Sequence, residues 1–238
     1  MMVFIHGFTG APASWDGVCA ELARARRIHR VRVLGHDGGP LTPAPGGFAG
    51  EVDRIAAELH SAGMRGVHLV GYSLGGRLAL GLLASHPELL TRVTLIGARN
   101  GLASEAERHA RRAADQRWLT LLARGLPDFV EAWETQPLFG RWRSRDRAIR
   151  LAHDPRGLAL ALSTLGLAEM PRFAISADLP VALVTGADDL KFAALARELA
   201  AGLPRATLHS IDRAGHNIPS EAPAALAALL TRLEDDHV

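Results

Sequence analysis

Ser73 stands in the run Gly71-Tyr72-Ser73-Leu74-Gly75-Gly76, with a glycine two positions to either side. That spacing acquires chemical meaning on a sharp turn from a strand into a helix. Side chains at the flanking positions would collide there, and the serine is held in a strained backbone with its hydroxyl at the tip of the turn, close to the N–H groups that open the helix. A serine so placed is inert without a histidine to take its proton and a carboxylate to orient that histidine. Two stretches supply them. Gly186-Ala187-Asp188-Asp189 offers two candidate acids, and Ala214-Gly215-His216-Asn217 offers the base. A further Gly-rich stretch, His6-Gly7-Phe8-Thr9-Gly10, could present the backbone N–H of Phe8 to an oxyanion at the same place. The pattern around Ser73 alone would also suit an ordinary Gly-rich turn with an idle serine. The rest of the chain decides between the two.

The elements that must position these residues follow from hydrophobic pattern. Short apolar runs at Met2–Ile5, Val31–Leu34, Val67–Val70, Val93–Ile96, Val181–Thr185 and Ala206–Ile211 read as strands. Helical patterns separate them: 14–26 with Ser14 as N-cap, 48–62 stopped at Gly63, 74–83, 193–202 and 222–234. Strands alternating with helices imply parallel pairing through right-handed crossovers, and parallel strands covered on both faces read as continuous apolar runs. Each candidate residue then follows the carboxyl end of a strand, where open α/β sheets place their sites. The other ten histidines lack that setting. His6, His36 and His86 have local roles in turns and helix ends, His68 lies within a strand, and His29, His60, His109, His153, His209 and His237 follow no strand into a Gly loop.

The alternation breaks at Gly97. From about 98 to 177 no strand is evident, and 105–124, 128–133, 144–153 and 157–167 look helical. This stretch holds Arg99, Arg108, Arg111, Arg112, Arg117, Arg124, Arg141, Arg143, Arg145, Arg147, Arg150, Arg156 and Arg172, and also Trp118, Trp133 and Trp142. Most of these arginines are expected on solvated helix faces. The organisation read from this is a core of residues 1–97 and 178–238 with an inserted helical lid, residues 98–177. The fold class is α/β, a mostly parallel sheet of about six strands with helices on both faces.

With 238 residues, 48% of them hydrophobic and 22% charged, the chain has the composition of a soluble globular protein. No apolar run reaches the length of a membrane span, and no signal peptide is expected from Met1–Ile5. Cys19 is the single cysteine, so no intrachain disulfide can form and a reducing cytoplasm is the expected setting; its plain helical context gives it no nucleophilic role. A net charge of +2 does not point to nucleic acid.

With these residues in view, the chain resembles the α/β-hydrolase superfamily, and more narrowly the 2-succinyl-6-hydroxy-2,4-cyclohexadiene-1-carboxylate synthases, pyruvate-eliminating lyases of menaquinone biosynthesis. The resemblance spans almost the whole chain. It rests on His6–Gly10 with Trp15, on Gly71–Arg77, on Asp115-Gln116-Arg117-Trp118, on Trp133, Gln136 and Pro137, on Gly157-Leu158-Ala159, on Gly186–Phe192 and on Ala214–Asn217. The arginine directly after the serine turn, the G-x-x-D-x-K-F run and the helical stretch are its narrower marks. The resemblance implies Asp189, rather than Asp188, as the acid completing a triad with Ser73 and His216. It implies Phe8 and Leu74 as oxyanion-hole donors, and Tyr72, Arg77, Arg111, Trp133 and Arg150 as substrate contacts. The implied substrate is a small polycarboxylate, for which guanidinium groups are suited, and no metal or organic cofactor is called for. A monomer or small homo-oligomer is expected. Two departures stand out. Glu134 replaces an aromatic neighbour of the lid tryptophan and would repel an anion if it faced the site. Gly35-His36-Asp37-Gly38 varies a Gly-His-Gly turn. The competing readings are a carboxylesterase or C–C bond hydrolase with Ser73 as nucleophile, which an apolar lid interior would favour, and a small-molecule receptor, which turnover would exclude.

Overall fold

A computed structural model describes residues 1–22, 26–139 and 146–235. Its sheet has six strands: β1 (Met2–Ile5), β2 (Ile28–Val31), β3 (Val67–Tyr72), β4 (Leu90–Ile96), β5 (Val181–Gly186) and β6 (Ala206–Ile211). They lie in the order β2-β1-β3-β4-β5-β6 and every pairing is parallel. The helices are α1 (Asp16–Glu21), α2 (Phe48–Ser61), α3 (Leu74–Ser85), α4 (Glu105–Arg124), α5 (Leu126–Glu134), α6 (Arg147–Leu151), α7 (Pro155–Leu165), α8 (Leu190–Ala200), α9 (Ile218–Glu221) and α10 (Pro223–Asp235).

Strand side chains alternate between two faces, and each face has its own core. Val3, Ile5, Leu69, Leu95 and Leu183 pack under α2, α3 and α8 through Ile55, Leu78 and Leu199. Met2, Phe4, Val70, Ile96 and Val184 face the other way, against Trp15, Val18, Leu226 and Leu230 of the segments around α1 and α10. Burial on both faces explains why the strands read as unbroken apolar runs.

Two expectations need correction. The second strand lies at Ile28–Val31, three residues before the apolar run Val31–Leu34. β1 has only four residues, and its register pairs Met2 with Ile28 and Ile5 with Val31. Val33 and Leu34 are buried beyond the ladder, and the Leu34 N–H goes to the Glu51 carboxylate at 2.9 Å. The apolar run thus reported burial, not pairing. The first helix is also shorter than its pattern. Ser14 lies within a 3-10 turn, Pro12–Trp15, where its Oγ accepts the Ala11 N–H at 3.1 Å, and α1 begins only at Asp16. Residues 23–25 of that expected helix, and Arg141, Trp142, Arg143, Ser144 and Arg145, lie outside the described residues.

Between β4 and β5 the described residues form α4 to α7 and no strand. Ser104 caps α4 by accepting the Glu107 N–H at 3.2 Å, while the Glu107 carboxylate reaches back to the Ser104 N–H at 3.0 Å. These helices bury a cluster of their own, with Trp118, Leu122, Phe129, Val130, Leu158 and Leu162. Among the described residues no helix is long and apolar enough to cross a membrane.

Candidate active site

Ser73 links β3 to α3 with φ 51° and ψ −106°, a left-handed region that side-chain-bearing residues rarely occupy. Its N–H is fixed to Ile96 O at 2.8 Å and its C=O accepts the Arg77 N–H at 3.0 Å. The flanking glycines are steric necessities. A Cβ on Gly71 would lie 2.4 Å from Gly75 O, and one on Gly75 would lie 2.1 Å from Ile5 O. The strain at Ser73 is held by this close contact of turn and sheet.

His216 follows β6 and is 2% exposed; its Nε2 lies 3.3 Å from Ser73 Oγ and its Nδ1 lies 2.8 Å from Asp189 Oδ2. Since a carboxylate only accepts, the Asp189 contact assigns the proton to Nδ1 and leaves Nε2 as acceptor for the serine hydroxyl. Asp189 follows β5 and caps α8, its Oδ1 accepting the Phe192 N–H at 3.1 Å. The Phe192 ring packs 4.3 Å from the His216 ring and the Tyr72 ring 5.4 Å from it. Of the two acids left open by motif alone, Asp189 is the one hydrogen-bonded to His216. Sequence reasoning did not single out Glu221. Its carboxylate accepts the N–H groups of Gly215 and, at 3.1 Å, Asn217, the two neighbours of His216, and so shapes the histidine loop. Burial, with Asp188 and Asp189 nearby, raises its pKa.

The N–H of Phe8 makes no backbone hydrogen bond. That of Leu74, the first residue of α3, belongs to the first turn of a helix, which has no intrahelical partner. Both residues line a cavity of about 570 Å³ that also exposes Ser73 and His216. Residues of α4, α5 and α7 line it as well, among them Arg111, Trp118, Trp133 and Leu162.

Among the described residues, four cationic ones line this cavity: Arg77, Arg99, Arg111 and Lys191. Arg77 donates to Leu165 O at 2.9 Å and Arg111 to Asp115 Oδ2 at 2.8 Å. Burial, then the guanidinium groups of Arg111 and Arg99, push the Arg77 pKa down to about 9, against the opposing pull of Asp115. Asp188 and Asp189 are the acids on the wall, and Asp189 is engaged by His216. Arg99 and Lys191 were not among the expected substrate contacts; nothing in a helix-rich arginine run distinguishes Arg99, while Lys191 sits in the G-x-x-D-x-K-F stretch. Trp133 lines the cavity from the centre of an aromatic group, 4.9 Å from Trp118 and 5.2 Å from Phe8, and its buried indole N–H has no partner.

Tyr72 and Arg150 lie elsewhere. They line a neighbouring recess of about 50 Å³ that shares Ser73, His216, Phe8 and Trp133 with the main cavity. Arg150 is buried and donates to Glu134 Oε1 at 2.8 Å, and Arg147 holds the other carboxylate oxygen at 2.7 Å. Glu134 therefore presents no charge to the cavity, and the repulsion raised by its place in the sequence does not arise. A further cavity of about 410 Å³, between residues 171–175 and α8, shares only Arg99 with the catalytic one and contains no part of the triad.

The arrangement can move a proton between a bound molecule and Ser73 with His216 as its store, and can stabilise negative charge on an oxygen. Comparison with known proteins narrows the chemistry. The model of the alpha/beta hydrolase family matches residues 2–229. A 2-succinyl-6-hydroxy-2,4-cyclohexadiene-1-carboxylate synthase of Enterobacter sp. (strain 638) is 35% identical, the match covering 98% of this chain and 90% of that protein. One from Salmonella agona (strain SL483) is 34% identical over 98% of this chain and 92% of its own length. Among solved structures, MenH from S. aureus superposes with a TM-score of 0.91 at 23% identity, covering 99% of this chain and 93% of that one. An esterase from Thermogutta terrifontis gives 0.82 at 22%, covering 100% and 90%. At these identities the structures speak for the fold alone.

Proposed function

We propose that this chain, which belongs to the alpha/beta hydrolase family and within it to the 2-succinyl-6-hydroxy-2,4-cyclohexadiene-1-carboxylate synthases, is a lyase that eliminates pyruvate from 2-succinyl-5-enolpyruvyl-6-hydroxy-3-cyclohexene-1-carboxylate in menaquinone biosynthesis. Residues 98–177 act as the lid over its site, and the setting is the cytoplasm. The observation that carries this reading is the cavity's charge: among the described residues, three arginines and one lysine line the same cavity as the triad serine. An enzyme for neutral esters has no use for that excess, whereas the substrate is a ring bearing three carboxylates. Arginine binds carboxylates bidentately and is charged at neutral pH.

The steps follow from the site. His216, oriented and stabilised by Asp189, draws the Ser73 proton, and Ser73 Oγ removes the proton α to the succinyl ketone. The ketone oxygen becomes an enolate oxygen, which the N–H groups of Phe8 and Leu74 receive. The electron pair then moves through the ring and breaks the C–O bond to the enolpyruvyl group, which leaves as pyruvate. The abstracted proton is balanced by the one held on His216 until the leaving group or solvent takes it. An oxyanion hole serves an enolate as well as a tetrahedral intermediate, and no step calls for a metal or organic cofactor. The 3.3 Å separation of His216 and Ser73 is the length expected before substrate draws the pair together. Arg77, Arg111 and Lys191 are the carboxylate donors, with the Trp133 ring as part of the wall; Tyr72 and Arg150 support the triad's far side.

The test feeds the purified protein its enolpyruvyl substrate, generated in situ, and follows pyruvate and diene absorbance. Release that disappears in Ser73→Ala supports the lyase. Hydrolysis of a simple aryl ester without pyruvate release would make the protein an esterase and end this reading.

A further inference from the structure

Gly7 to Gly10 form a tight turn, closed by the Gly10 N–H on Gly7 O at 3.0 Å. Phe8 and Thr9 are its central residues. Thr9 has φ 64°, and a left-handed third residue marks the turn type in which the central peptide is flipped, a place that favours glycine. For a β-branched residue this conformation is an outlier that persists only when its surroundings impose it. Here three side chains do so, and all of them lie far away in the chain. The Thr9 N–H donates to His36 Nε2 at 3.2 Å. Thr9 O accepts from His153 Nε2 at 3.1 Å, and Thr9 Oγ1 from Arg150 Nε at 3.4 Å. His36 belongs to the core, in the Gly35–Gly38 turn after β2, whereas Arg150 and His153 belong to the insertion, in and after α6.

We propose that Thr9 is a latch between lid and oxyanion hole: His153 of the lid and His36 of the core hold the flipped Phe8–Thr9 peptide, and only then does the Phe8 N–H stand free toward Ser73. The inference rests on the reading of Phe8 as an oxyanion donor. His36 and His153 are positioning residues, since they act through Thr9 and touch no substrate. Without them Thr9 would relax to a negative φ, the central peptide would turn over, and the donor would leave the cavity.

The chemistry of the rings fits the task. His36 donates its Nδ1 proton to Leu34 O at 2.9 Å, so Nε2 is an acceptor only while the ring is neutral. His6 and His153 pack edge-on against it, with centroids 5.0 and 5.5 Å away. Burial and the neighbouring rings hold His36 well below its usual pKa, burial holds His6 at about 4, and burial and the Arg150 charge lower His153 while Asp37 opposes. The group is neutral in the working range, so the hydrogen bonds on Thr9 keep their polarity.

The experiment compares the intact protein with His153→Ala and His153→Gln, whose amide can donate to the same carbonyl. Amide hydrogen exchange across residues 6–11 of the substrate-free protein is measured first, then kcat and KM for pyruvate release. The latch predicts faster exchange in that turn for His153→Ala with the rest of the sheet unmoved. It predicts a kcat about 10–100-fold lower with KM within about two-fold, as for an interaction made only in the transition state, and recovery of most of both effects in His153→Gln. Unchanged exchange in His153→Ala would overturn the latch. So would a rise in KM at constant kcat, or equal losses in both variants. If the wild-type protein releases no pyruvate, the lyase reading falls, and the exchange measurement still decides the latch.

Discussion

Gly97 abuts the His216 ring: a Cβ built on Gly97 would lie 2.7 Å from His216 Cε1 and 2.9 Å from Nδ1. The residue also has φ 56°, and its N–H is fixed to Val184 O at 3.0 Å, so the backbone has no room to retreat. The expected result of Gly97→Ala is a ring displaced from Ser73 and a kcat lower by about 100-fold, the scale of a misplacement near 1 Å. Substrate affinity, which the proposed arginine contacts would set, is expected to stay. Steady-state kinetics beside a thermal melt checks this. A folded variant with undiminished kcat would show that the ring does not depend on this wall.

Asp188 and Asp189 both line the cavity, but Asp189 alone of the two makes a hydrogen bond to His216. Asp189→Asn is expected to lose about 10⁴-fold in kcat, because an amide favours the wrong imidazole tautomer. Asp188→Asn is expected to lose far less than that. The comparison of the two kcat values is the measurement, and similar losses would refute the assignment of Asp189 as the orienting acid.

These residues were legible because each follows a strand, and buried parallel strands announce themselves as apolar runs. The same signal misplaced β2, since Val33 and Leu34 are buried without pairing. Cavity residues were much less legible. The helical insertion is full of arginines, and sequence cannot say which way each points. Arg108 caps the carbonyls of Ala168 and Met170, Arg112 pairs with Glu105 and Glu169, and Arg117 lies over Trp118, while Arg99 and Arg111 reach the cavity. Thr9 acts through contacts set by tertiary packing, 27 to 144 residues away in the chain, and carries no local signature of its role; the Glu221 contacts lie within six residues and were open to a local reading.

Glu134 and Arg150 form a pair whose side chains are 5% and 7% exposed. Removing Glu134 takes away the nearer carboxylate of the buried Arg150 charge and leaves it Asp146 at 3.7 Å, at a cost of about 3–5 kcal/mol. Arg147, the other partner of Glu134, is far more exposed and adds little. Glu134→Ala is expected to lower Tm by roughly 6–20 °C in a chain of this size. The double variant Glu134→Ala/Arg150→Met is expected to recover part of the loss, because the orphaned charge goes with it. Calorimetry of the single and double variants checks this; a double variant less stable than the single one would mean that the pair is not what holds α5 to α6.

Arg77 sets an alkaline limit. Its pKa is lowered to about 9 by burial first and then by Arg111 and Arg99. Below that value the guanidinium is charged and can hold a substrate carboxylate. Above it the free enzyme progressively loses the charge, so kcat/KM is expected to fall as pH rises through about 9. A bound carboxylate favours the charged form, so kcat, which reports the complex, is expected to hold to higher pH. Replacing Arg77 by Met is expected to lower kcat/KM at pH 7 and to flatten the limb near pH 9, since the titrating group is gone. A kcat/KM profile across pH 7–10.5 for both proteins is the measurement. If the limb persists unchanged in Arg77→Met, Arg77 does not control it and the prediction fails.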